Sequence, residues 1–145
     1  MPEKSRSLNG KVAVITGASS GIGEAIAHEL SQAGCNLVVT ARRTERLHAL
    51  CANLPGPAVP LSADIDHPDV AQSLLALAIK TYGRSDILIN NAGILVSGSL
   101  ETIDLDGLSQ MTRINHDAVV RNSYVFARAF KQQGSGAIIN VTSVG

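Results

Sequence analysis

Eight residues, Thr16-Gly17-Ala18-Ser19-Ser20-Gly21-Ile22-Gly23, constrain this chain more than any other stretch. Ahead of them runs Val12-Ala13-Val14-Ile15, an apolar run of strand composition. Behind them Ile22, Ile26, Glu29-Leu30 and Ala33 fall on helical spacing. The chain therefore passes from strand to helix through a turn with three glycines, which lets the backbone approach a ligand with no Cβ in the way. A helix that begins there presents unpaired N–H groups and a positive dipole end, the place where a phosphate binds. The glycine spacing is GxxxGxG, not the GxGxxG of the common dinucleotide fingerprint. No Lys-Ser/Thr pair follows, as a Walker loop requires.

The rest of the chain repeats the alternation. Strands are predicted at about 12–16, 37–40, 59–61, 86–90 and 137–141. Helices are predicted to about Ala33, where Gly34 stops the first, and from a cap at Thr44 with Leu47, Leu50, Cys51 and Leu54 inward. A third starts at Pro68 with Val70, Leu74, Leu77, Ala78 and Thr81 inward. A long one covers about 102–131, its stripe running Leu108, Met111, Ala118-Val119, Val125-Phe126, Ala129-Phe130, and Gly134 and Gly136 end it. Apolar, unalternating strands separated by helices mean a parallel sheet covered on both faces. Right-handed crossovers and a ligand loop after strand one give an α/β doubly wound sheet of order 3-2-1-4-5, with the ligand over the carboxyl ends between strands one and four.

At 145 residues the chain is one domain, with a polar, loosely held leader over 1–9 and the folded part over 10–145. Twelve basic side chains balance twelve acidic ones and aromatic content is 3%, which argues against nucleic acid or an anionic membrane as partner. Cys35 and Cys51 have no metal-ligand spacing, nor do His28, His48, His67 and His116, so no metal site is expected. No apolar run reaches membrane-span length and the start has no signal-peptide core, so a cytoplasmic protein is expected.

Thr-Gly-x-x-x-Gly-Ile-Gly between strand and helix, with Asn90-Asn91-Ala92-Gly93 leaving strand four, resembles the short-chain dehydrogenase/reductase family. The resemblance implies a Rossmann-like fold and hydride transfer between a nicotinamide cofactor and a small-molecule carbonyl or alcohol. Gly17, Ser19, Ser20, Gly21, Ile22 and Gly23 would form the cofactor loop. Asn91, Ala92 and Gly93 would hold neighbouring backbone beside it, where an ordinary Asn/Gly turn is the plainer reading. Asp64, with Ile65 after it, would stand near the adenine ring; helix capping or plain solvation competes as a reading of that carboxylate.

An NAD-preferring site wants a carboxylate at the end of strand two, for the ribose 2′-hydroxyl. Here Ala41 stands in that place and Arg42-Arg43 follow. Guanidinium forks suit a phosphate, so the cofactor is predicted to be NADP(H), with Arg42 the main 2′-phosphate ligand and Arg43 a helper or a stacker on adenine; two solvated arginines are the alternative. By resemblance Asn115 is the active-site asparagine that holds a water in a proton relay, set against a core asparagine bonded to backbone. Ser143 matches the family serine that would bond the substrate carbonyl or alcohol oxygen, with Thr142 its nearest confusable neighbour. Asn122 is read as structural, and Ile94 to Ser99 as the near wall of the substrate site.

The family's acid is a tyrosine with a lysine four residues on, after strand five. Tyr82 and Tyr124, the only tyrosines here, lack that lysine. The chain is therefore expected to be the N-terminal portion of a longer enzyme, truncated before the last strands and inactive alone, the full-length form a homodimer or homotetramer. Strand five would be an unpaired edge. The competing reading is a complete, non-catalytic NADP(H)-binding or interaction module.

Overall fold

A computed structural model describes residues 7–143. In chain order the elements are β1 (Val12–Thr16), α1 (Gly21–Gln32), β2 (Asn36–Ala41), α2 (Thr44–Asn53), β3 (Ala58–Ser62), α3 (Val70–Tyr82), β4 (Ile87–Asn90), α4 (Leu105–Thr112), a π-helical turn (Arg113–Asp117), α5 (Ala118–Gln133) and β5 (Ala137–Asn140). All strand pairs are parallel, in the order β3-β2-β1-β4-β5. This is the Rossmann-like doubly wound sheet expected from the sequence.

β1 is buried along its whole length because both of its faces are covered. Ala13 and Ile15 share one face with Leu37 and Val39, under α1 and α2 through Ala27, Leu47 and Leu50. Val12 and Val14 share the other with Val38 and Leu88, under α3 and α5 through Val70, Leu74, Phe126 and Phe130. Side chains alternate between faces, yet both faces are apolar, which is why the strands read as unbroken runs. Phe126 and Phe130 meet edge to face at 6.0 Å.

Several local expectations are corrected. The helix expected over 102–131 begins at Leu105 behind an Asp104 cap, whose side chain accepts from the Asp106 N–H, and a π turn divides it. Arg43 holds the N-cap position of α2 without a side-chain cap bond, and Thr44 is the helix's first residue. α3 starts at Val70, two residues after Pro68, and Thr81 is exposed rather than inward. Leu8, expected in a loose leader, packs against the α1/α2-side core, and its carbonyl accepts from the Lys11 N–H. Residues 1–6 of that leader lie outside the described residues. Pro60 sits on the edge strand β3, where its missing N–H is tolerated.

The chain leaves β1 toward one face and β4 toward the other. The carboxyl ends of these neighbours therefore part, and a crevice opens between them.

Candidate functional site

Two neighbouring loops build the floor of that crevice. Thr16 is buried, and its hydroxyl oxygen accepts from the N–H groups of both Asn91 and Ala92, each at 3.0 Å. In return the Asn91 amide donates to the carbonyls of Thr16 and Gly17, at 3.2 and 3.1 Å. The Asn/Gly segment after β4 thus clamps the turn after β1, as the sequence implied. Thr16→Val keeps the shape and removes the acceptor for two N–H groups. It is expected to cost about 2 kcal/mol, checked by chemical denaturation.

The turn itself is open toward solvent. Gly21 has φ +56° and nothing within 4 Å of the place a Cβ would occupy. No side chain caps α1 at Ser20, so the first amides of the helix face outward without a side-chain acceptor. This fits a pyrophosphate. Gly23, expected as a cofactor contact, has a packing part within the protein. It is buried, and a Cβ there would meet the Gly17 carbonyl oxygen and the Asn91 amide.

A cleft of about 530 Å³ runs over the carboxyl ends of the strands. Gly17, Ser19 and Ser20 form one wall and Thr40, Ala41, Arg42 and Arg43 the end of β2. Ala63, Asp64 and Ile65 follow β3, Asn91, Ala92, Gly93 and Ile94 follow β4, and Ile114 closes the side of the helix. Ten of the expected cofactor residues come together here, while Gly21, Ile22 and Gly23 lie outside the lining and Ile22 is 63% exposed. Thr40, Ala63 and Ile114 were missed, since isolated apolar or small residues carry no signal.

The two arginines after β2 take different neighbours within the chain. Arg43 reaches back to the first turn and donates from Nη2 to the hydroxyls of Ser19 and Ser20, at 3.1 and 2.9 Å. Arg42 is exposed and makes no hydrogen bond among the described residues.

Asn115 also differs from expectation. The π turn carries it off the buried stripe, and it is exposed. Its Nδ2 donates to the Ile94 carbonyl at 2.8 Å and its Oδ1 accepts from the Ile94 N–H at 2.9 Å, so it grips both backbone groups of one residue. Asn122 is structural as read: buried, its Nδ2 donates to Asn90 Oδ1, while Asn90 donates to Asn140 and Ser123. Ser143 lies exposed beyond β5, and neither it nor Asn115 lines the cleft. Tyr82 donates to the Leu37 carbonyl at the other end of the sheet, and Tyr124 is exposed beside Arg128.

Burial pushes the Cys35 and Cys51 thiols up, so neither presents a thiolate at neutral pH. Among the described residues no three His, Cys, Asp or Glu side chains gather as a metal site, and no helix is long and apolar enough to cross a membrane.

The family model described as short chain dehydrogenase matches residues 11–145. An uncharacterized oxidoreductase of Staphylococcus saprophyticus is 39% identical over 135 residues, covering 92% of this chain and 55% of that protein. One of Listeria innocua is 37% identical over 140 residues, covering 94% and 56%. This chain thus spans just over half the length of the curated relatives it matches. Among solved structures, a metagenomic short-chain oxidoreductase in complex with NADP superposes with a TM-score of 0.88 at 36% identity, over 96% of this chain and 65% of that one. A short-chain dehydrogenase from Streptomyces avermitilis gives 0.83 at 34%, over 99% and 51%. The chain belongs to the short-chain dehydrogenase family.

Proposed function

We propose that this chain binds NADP(H) and forms the cofactor-holding portion of an oxidoreductase that interconverts a carbonyl and an alcohol on a small molecule. Bound in the cleft, the nicotinamide ring would give or take the hydride. The observation that carries the choice of cofactor is the end of β2. It presents two guanidinium groups at the cleft and no carboxylate, Ala41 standing where one would accept from a ribose hydroxyl. The solved relative bound to NADP supports the same choice.

The chain's own residues divide the work. The amides at the start of α1 take the pyrophosphate. Arg43, with Ser19 and Ser20 beside it, forms a cationic corner suited to a 2′-phosphate, and Arg42 adds a second charge. Asn115 holds Ile94 and so fixes the wall where the nicotinamide end of the cleft meets substrate. One N–H and one lone pair of its amide stay free, enough to hold a water of a proton relay. Ser143 would orient the substrate oxygen. The tyrosine and lysine of the family's proton step are read as belonging to a longer form of the protein, which would assemble as a homodimer or homotetramer in the cytoplasm.

Titration of the chain with NADPH and NADH, followed by nicotinamide fluorescence, tests the reading. NADPH is expected to bind at least about tenfold more tightly, and removing both guanidinium groups in Arg42→Ala/Arg43→Ala to bring the ratio near one. Equal affinity for the two in the wild type would refute the NADP(H) assignment. No binding of either would refute the cofactor site itself.

A further inference from the structure

We infer that Arg113 and Arg121 form a strap that holds the β3-side wall of the cleft in place, which makes them positioning residues for the adenosine half of the dinucleotide; the second part rests on the function proposed above. That wall, Ala63-Asp64-Ile65, leaves the edge strand β3, so no further strand braces it from outside. Its local bonds are those of a turn: Asp66 N–H donates to Asp64 Oδ1 at 3.0 Å, and His67 N–H to the Asp64 carbonyl at 2.9 Å.

The strap comes from the neighbouring helix, since α3, which this loop enters, packs beside α5 on the same face of the sheet. Arg113 Nε donates to both carboxylate oxygens of Asp66, at 3.0 and 3.2 Å. Arg121 Nη2 donates to the Asp66 carbonyl at 3.1 Å and, more weakly, to the Ile65 carbonyl at 3.4 Å. Taken alone the Arg113 pair is half in solvent and contributes little. The part-buried Arg121 adds a charge-assisted grip on the main chain, and together the two fix both the side chain and the backbone of one loop.

The π turn gives this arrangement its reach. Arg113, Ile114 and Asn115 are consecutive residues of that turn. Arg113 holds the loop after β3, Ile114 lines the cleft between, and Asn115 holds Ile94 after β4. One widened turn, with one more residue than an α turn, thus ties the loops after β3 and β4 to a single stretch of helix. A slot fixed beforehand binds a planar ring more tightly than one that must be ordered on binding.

The test measures calorimetric binding of adenosine 2′,5′-bisphosphate and of NADPH, together with amide hydrogen exchange. Arg113→Ala/Arg121→Ala is expected to weaken both ligands by the same factor, about tenfold, and each single change by about threefold. Exchange at 64–67 should quicken in the unliganded variant while the melting temperature holds within a few degrees. Arg113→Lys should recover part of the loss, and Arg128→Ala, an exposed arginine elsewhere on α5, should change nothing. Bisphosphate binding within twofold of wild type, or unchanged exchange at 64–67, would overturn the strap. Should the double variant fail to fold, Asp66→Asn applies the same criteria by removing the carboxylate alone. A wild type that binds neither ligand would remove the cofactor reading, and the strap's role in binding with it. A wild type that binds both beside an unaffected variant would remove the strap alone.

Discussion

Gly23→Ala is expected to lower stability by about 3 kcal/mol, roughly 10 °C in melting temperature, whereas Gly21→Ala leaves the fold nearly intact and weakens nucleotide binding. The two glycines stand two residues apart in one motif and fail for opposite reasons. At Gly23 an added methyl would run into the Gly17 carbonyl oxygen and the Asn91 amide, both held by the clamp between β1 and β4. Neither partner is the loose end of a flexible chain, so α1 must back away from the sheet or the clamp must break. At Gly21 nothing lies within 4 Å, and the fold bears only the left-handed φ of +56°, about 1 kcal/mol for an L residue. The methyl would instead stand in the open space over the helix start, where the pyrophosphate of the proposed cofactor would come closest. A loss of roughly 30- to 100-fold in NADPH affinity follows from such an overlap. Thermal melting and fluorescence titration of both variants separate the two effects. A Gly23→Ala protein that melts like wild type would mean the clamp is slack, and a Gly21→Ala protein of unchanged affinity would mean the phosphates lie elsewhere.

The sheet was legible because its signal is local and abrupt. Val12–Thr16 is bounded by a charged residue and a glycine, and the strand matches the reading to the residue. The order of strands followed from the position of the glycine turn and the handedness of crossovers. The long helix was misread for a physical reason. Met111, Asn115 and Ala118 are spaced four and three apart, which in a regular α-helix sets Asn115 on the buried stripe. A π turn over Arg113–Asp117 adds a residue to that turn and shifts the phase, so Asn115 comes out exposed and reaches Ile94 instead. Nothing in a 3.6-residue period announces an inserted residue.

The candidate site divides along the same line. Its contiguous parts, the glycine turn and Asn91-Ala92-Gly93, were read as motifs. Which of two adjacent arginines faces Ser19 and Ser20 is decided by the backbone at the start of α2, and Arg43 rather than Arg42 faces them. Asp66 and Arg113 stand 47 residues apart and pair only because the loop into α3 and the π turn before α5 are brought together on one face of the sheet. A charge in an exposed loop and a charge on a helix look solvated in sequence, and their partnership is a property of the fold.

At the opposite end of the sheet, Asp86→Ala is expected to cost about 3 kcal/mol, and the cost should shrink in acid. Asp86 is 5% exposed, and its carboxylate accepts from the Val12 N–H at 2.9 Å and from Arg84 Nε and Nη2 at 2.8 and 2.6 Å. Its backbone donates to the Val12 carbonyl and accepts from the Ala137 N–H, so one residue ties the starts of β1, β4 and β5. Alanine would leave the Val12 N–H without that acceptor and Arg84 without its counter-charge. Burial by itself would raise this carboxyl. The Arg84 hydrogen bonds, the Val12 N–H and the charges of Arg84 and Lys11 outweigh burial and hold it below the usual aspartate range. In the window between the folded value and the unfolded value near 4, the unfolded chain therefore binds more protons than the folded one, and stability rises with pH. The contribution is complete above that unfolded value and disappears as pH falls through the folded one. Denaturant unfolding of wild type and Asp86→Ala between about pH 7 and pH 2 should give a gap that is constant at the top of the range and narrows below about pH 4. A gap that stayed constant to the acid end would show that the carboxylate's charge is not what stabilises this junction, leaving only the packing of its side chain.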